Sequence, residues 1–122
     1  STRDGYIRGM IAEETAATSA AIRTRQELIE AGHGGMEGID YPGTDDYEGS
    51  QRPAEADALD RGASDEDART EGRQAGEAAV ESGFNDGSYT TTDATTGEDQ
   101  TYPDYYGSEW DAAHPRRSGL GQ

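Results

Sequence analysis

The chain has 122 residues, enough for one ordinary domain, and sets 26 acidic against 10 basic side chains for a net charge of −16. Leu, Ile, Val and Phe together fill only 10 positions, well under the roughly 20% below which a highly charged chain is expected to lack a core of its own. The absence of cysteine excludes disulfides and thiolate metal sites; no stretch approaches the ~18 apolar residues of a membrane span, and the charge argues against direct binding of nucleic acid.

The first segment carries the clearest helix signal. Thr2 or Asp4 can cap it, and Gly32 ends it ahead of His33, Gly34 and Gly35. Apolar residues recur at Tyr6, Ile7, Met10, Ile11, Ala17, Ala21, Ile22, Leu28 and Ile29, one face at helical spacing, interrupted by Glu14 and Arg25. A helix over 5–31 would be about 40 Å long at ~1.5 Å per residue. Its middle, residues 16–21, is small on all sides, which lets another backbone approach closely. Residues 33–52 read as a Gly-, Asp- and Tyr-rich connector without periodicity.

Pro53 suits the first position of a short helix closed by Gly62. Ser64 then caps a second helix, with Asp65, Glu66 and Asp67 in the first turn, where acids favour the helix dipole. Its inner face would be Ala68, Gly72, Ala75, Gly76 and Ala79, with Val80 beside it: smooth, suited to close packing, and poor in hydrophobic area. Asn85-Asp86-Gly87 is a turn signal. The Thr-rich run from Ser88 to Thr96 leans towards strand, Gly97-Glu98-Asp99 marks another turn before Gln100, and a small hairpin is allowed there. The remainder, from Ser108, reads as an extended tail. The expected architecture is therefore mainly α with extended, irregular segments, and non-globular. Its stretches are the amphipathic helix of 1–32, the connector of 33–52, the acidic Ala/Gly-rich helical segment of 53–83 and the Thr/Tyr-rich arm of 84–122.

All ten basic residues are arginine and none is lysine. With abundant Asp, Glu, Gly, Ala and Thr, this composition resembles that of proteins from extremely halophilic archaea and their viruses. At molar salt the Debye length falls to about 3 Å, so carboxylate repulsion is screened while the acidic surface stays hydrated. Lysine's apolar stem would add surface that strong salt drives together. A high-GC genome also depletes lysine. Ser1 fits removal of a start methionine before a small residue.

Candidate chemistry is sparse. His33-Gly34-Gly35 is similar to an oxyanion loop of esterases, but no G-x-S-x-G nucleophile elbow follows, and the run reads as a helix terminator. Adjacent carboxylates such as Glu13-Glu14 read as solvated surface. Asp45-Asp46-Glu48 and Asp65-Glu66-Asp67 match no calcium loop and suit loosely held monovalent or divalent cations. No catalytic residue, dedicated metal site or cofactor is assigned. Tyr102, Tyr105, Tyr106 and Trp110 gather four of the nine aromatics into nine residues, and Tyr and Trp are favoured interface anchors. Arg116-Arg117 can pair with an acidic neighbour. A short echo relates Tyr41-Pro42…Tyr47-Glu48-Gly49-Ser50 to Tyr102-Pro103…Tyr106-Gly107-Ser108.

The partner-binding set expected from these signals is Tyr6, Ile7, Met10, Ile11, Ile22, Leu28, Ile29, Tyr102, Tyr105, Tyr106 and Trp110. The leading functional expectation is a non-catalytic subunit of a large protein assembly in a halophilic setting. Its specific form would be a minor capsid, cementing or head–tail junction protein in the virion of a haloarchaeal virus. The competing expectation is a soluble acidic regulator, antitoxin-like or nucleic-acid-mimicking, in the cytoplasm of a halophilic archaeon.

Overall fold

The computed structural model describes residues 2–115. In chain order they form α1 (Arg3–Glu30), a 3-10 turn (Gly34–Gly38), α2 (Thr44–Asp60), α3 (Asp65–Asp86), β1 (Thr90–Thr92), β2 (Asp99–Thr101) and α4 (Tyr102–Ala113). Local chemistry sets most of these limits. The Thr2 hydroxyl accepts from the Gly5 N–H and caps α1. At the other end Gly32 takes φ +94°, and the N–H groups of Gly32 and His33 reach back to the carbonyls of Ile29 and Leu28. These paired bonds satisfy carbonyls the helix end would otherwise orphan. Gly62, at φ +91°, ends α2 with the same pair of bonds.

Two elements depart from the sequence expectation. α2 begins at Thr44, not Pro53, so the second half of the expected connector is helical and Pro53 lies inside the helix. Proline removes one N–H and crowds the carbonyl four residues back; that residue is Gly49. The second departure is α4, where an extended arm was expected. Thr101 caps it by accepting from the Asp104 N–H, and Pro103 sits in the first turn, where its missing N–H costs nothing. The expected hairpin is present but small: β1 and β2 pair antiparallel with Thr91 opposite Gln100. The Arg116-Arg117 pair and the end of the expected tail lie outside the described residues.

All four helices contribute to one apolar cluster. Ile11 and Ile22 come from α1, Tyr47 from α2, Val80 and Phe84 from α3, and Tyr106 from α4. The expectation of a non-globular chain without its own core finds no support in this arrangement. The cluster needs few aliphatics because large aromatics fill space left by glycine. A Cβ at Gly76 would stand 2.7 Å from Tyr47 Cδ2 and Cε2, and one at Gly72 would stand 2.6 Å from Glu55 Cγ. The smooth face expected on residues 68–79 is thus used for close packing, and its partner is the chain's own α2. Tyr89 acts similarly at the far end, its ring seated over both Gly83 and Gly43 while its hydroxyl donates to Asp46.

This packing predicts opposite effects for two glycines in helices. Gly76→Ala gains up to ~1 kcal/mol of helix propensity, but overpacking against the Tyr47 ring typically costs about 1–3 kcal/mol, so net destabilisation is expected. Gly49→Ala meets nothing within 4 Å and should stabilise by about 0.5–1 kcal/mol. Urea unfolding of both variants at one fixed salt concentration checks the sign of each.

Candidate functional site

The residues singled out at the two ends of the sequence meet each other. Ile11, Ile22 and Tyr106 are buried in the central cluster, and Tyr6, Ile7, Met10, Tyr102 and Tyr105 pack half-buried around it. Tyr6 stands edge-on to Tyr106 at 6.4 Å between ring centroids and lies 5.6 Å from Trp110. Tyr102 meets Phe84 edge-on at 4.7 Å. Such aromatic pairs contribute about 0.5–1.5 kcal/mol beyond the area they bury. Polar tips tie the same helices: the Tyr6 hydroxyl donates to Glu109 at 3.0 Å, Arg3 pairs with Asp111, and the Tyr106 hydroxyl donates to Glu14. In this fold, changes at Ile11 or Ile22 report on folding before they report on docking. Leu28 and Ile29 are half-buried near the end of α1, away from that cluster.

A concavity lies elsewhere, where the C-terminal half of α1 faces α2 and α3. It is open, encloses about 640 Å³, and has five arginines in its lining: Arg23 and Arg25 on α1, Arg52 on α2, Arg69 and Arg73 on α3. Those are five of the eight arginines among the described residues. Four glutamates also line it, so the lining is one charge positive in a chain of −16. Of the residues expected from sequence, only Ile29 belongs to it.

The arginines of this cleft divide by what they do. Arg25 donates to the backbone carbonyls of Ile39 and Glu37, pinning the 3-10 turn against α1. Arg23 stands 3.9 Å from Glu77, and Arg52 stands 3.7 Å from Glu48 one turn away. The Gln26 side-chain amide bridges to Glu48 and Gln51 at 3.0 and 2.8 Å, fastening α1 to α2. Arg69 and Arg73 are different. Both are exposed on α3, four residues apart, and neither makes an ion pair or hydrogen bond with a described residue. Side chains at that spacing share a helix face, with Cβ atoms roughly 5–6 Å apart. Guanidinium groups so placed can donate planar, two-pronged hydrogen bonds to carboxylates or phosphates.

The other candidate groups have structural surroundings. Asp45 and Asp46 lie in the first turn of α2, and Asp65, Glu66 and Asp67 in the first turn of α3, where Ser64 caps the helix. Among the described residues no three His, Asp or Glu side chains converge as a metal site. No described helix is long and apolar enough to cross a membrane. His33 caps the 3-10 turn, and His114 stacks on Trp110 at 3.6 Å.

Tyrosine ionisation supplies a direct test of the aromatic packing. Burial first, and then the hydrogen bond to a carboxylate, push the phenols of Tyr89 (Asp46) and Tyr106 (Glu14) well above the ordinary tyrosine range. With the folded value above the unfolded ~10, this contribution to stability is complete below about pH 10 and is lost as the pH rises through and beyond it. Alkaline titration of the tyrosinate absorbance should show at least two of the seven tyrosines ionising only as the chain unfolds; all seven titrating together near pH 10 would contradict the packing described. No protein-family model matches the chain, and neither a characterised protein nor a solved structure proved detectably similar to it.

Proposed function

We propose that the chain is a non-catalytic interaction subunit of a larger protein assembly working at high salt. The observation that carries this reading is the collection of five arginines from three separate helices into one open cleft, in a chain whose charge is otherwise heavily acidic. Guanidinium, carboxylate and amide groups line that cleft, and they equip it to recognise a charged surface. The lysine-free acidic composition supports the high-salt setting.

Within that class we favour a minor capsid, cementing or head–tail junction protein of a haloarchaeal virus, located in the virion. The 28-residue α1 extends about 42 Å at ~1.5 Å per residue, long enough to touch more than one neighbour. Its outward positions Ala12, Ala16, Ala17 and Ala20 are exposed and small, which suits close approach by another subunit.

Sedimentation of the native source material in high salt, with mass spectrometry of the fractions that contain the chain, tests this proposal. A chain that travels with a large particle at fixed stoichiometry supports it. One that runs small, or with a single basic partner, removes it in favour of a soluble acidic regulator.

A further inference from the structure

Resting on the reading of the chain as an interaction subunit, we propose that Arg69 and Arg73 form a two-point receptor for an acidic helix of a protein partner. The partner helix would present carboxylates four residues apart. The arginines of the cleft divide by what engages them. On the α1 and α2 side, Arg23, Arg25 and Arg52 are engaged with Glu77, with the backbone of the 3-10 turn and with Glu48. On the α3 side, Arg69 and Arg73 are exposed and have no ion pair or hydrogen bond among the described residues. Their i,i+4 spacing repeats at ~6 Å, and an i,i+4 carboxylate pair on a facing helix repeats at the same distance. Each guanidinium can then take one carboxylate through two parallel N–H···O bonds.

The glutamates of the lining decide what kind of anion fits. Glu27 and Glu30 of α1 and Glu48 and Glu55 of α2 line the same cleft, Glu55 lying against Gly72 of α3. A nucleic-acid backbone carries charge of one sign along its whole length and would meet these carboxylates with repulsion. A polypeptide carries acids on one face and N–H donors or arginines on another, and it can satisfy both the arginines and the glutamates. Arginine suits this role in strong salt because geometry-fixed, hydrogen-bonded pairing survives screening better than long-range attraction.

The test uses the full chain, labelled so that arginine side-chain N–H resonances are resolved, at the lowest salt that leaves its circular dichroism unchanged. The probe is a blocked, alanine-based helical peptide with two i,i+4 glutamate pairs on one face. Its glutamine analogue and a thymidine oligonucleotide of equal charge are the comparisons. Saturable shifts at Arg69 and Arg73 with the glutamate peptide alone are expected. Arg8 provides an internal control: it is exposed on α1, outside the cleft and without an ion pair among the described residues. The R69Q/R73Q double variant should weaken peptide binding tenfold or more, whereas R8Q should leave it unchanged. Equal shifts at Arg8, an equal or larger response to the oligonucleotide, or no response to the glutamate peptide would each overturn the assignment. If the native chain still sediments with a particle, such a result removes the receptor while the subunit reading stands.

Discussion

Between α2 and α3 the Tyr47 ring occupies space that a Cβ at Gly76 would need, and the rest of the molecule is arranged around that contact. A chain with ten Leu, Ile, Val and Phe residues cannot fill a core with aliphatic volume. It brings backbones close enough for a few aromatic rings to do so. α2 and α3 form the most extensive helix pair, with Tyr47 over Gly76 and Tyr89 over Gly83 and Gly43. α1 and α4 then close the cluster with Ile11, Ile22 and Tyr106. The arrangement carries a cost, since the hydroxyls of Thr15, Ser19 and Tyr47 are buried without a hydrogen-bond partner among the described residues. Each such group opposes folding by roughly 1–3 kcal/mol, so the close packing has to supply more than a count of apolar residues suggests.

The same helix pairing makes the cleft. Arg52 belongs to α2 and Arg69 and Arg73 to α3, and they face the end of α1 because the glycine seam fixes how α2 lies on α3. Gln26 reaches across to Glu48 and Gln51, so the α1 wall is fastened to α2 by hydrogen bonds. Arg25 secures the turn beyond it through backbone carbonyls. Three of the five arginines therefore brace the cleft or pair within it. The two on α3 are exposed and have no ion pair or hydrogen bond among the described residues.

The sequence made α1, α3 and the hairpin legible because their signals are local. The Thr2 and Ser64 caps, the glycine at position 32, and the turn residues flanking a threonine run all act within a few positions. Pro53 suggests a helix start, so the sequence alone cuts α2 short although the helix begins at Thr44. Over α4 the sequence suggests an extended arm because Thr and Tyr lean towards strand. The cap at Thr101, proline at 103 and acid at 104 were present as a competing signal. The partners of the aromatic group were hidden for a different reason: Tyr6 and Trp110 are 104 positions apart, and only the fold joins them. The arginine cleft was invisible for the same reason, its members being scattered over residues 23–73. The small-residue face of α3 was recognised, but nothing local could show that Tyr47 and Glu55 cover it.

Hydrogen exchange of the isolated full-length chain in molar salt tests the central claim most directly, because it asks whether the glycine seam holds without any neighbour. The account predicts slow exchange across residues 11–22, 47–58 and 68–84, with one shared opening free energy, as expected of a single cooperative unit. Exchange of residues 68–84 at unfolded-chain rates, in a sample shown to be monomeric, would contradict it and place the origin of the fold in a partner's surface.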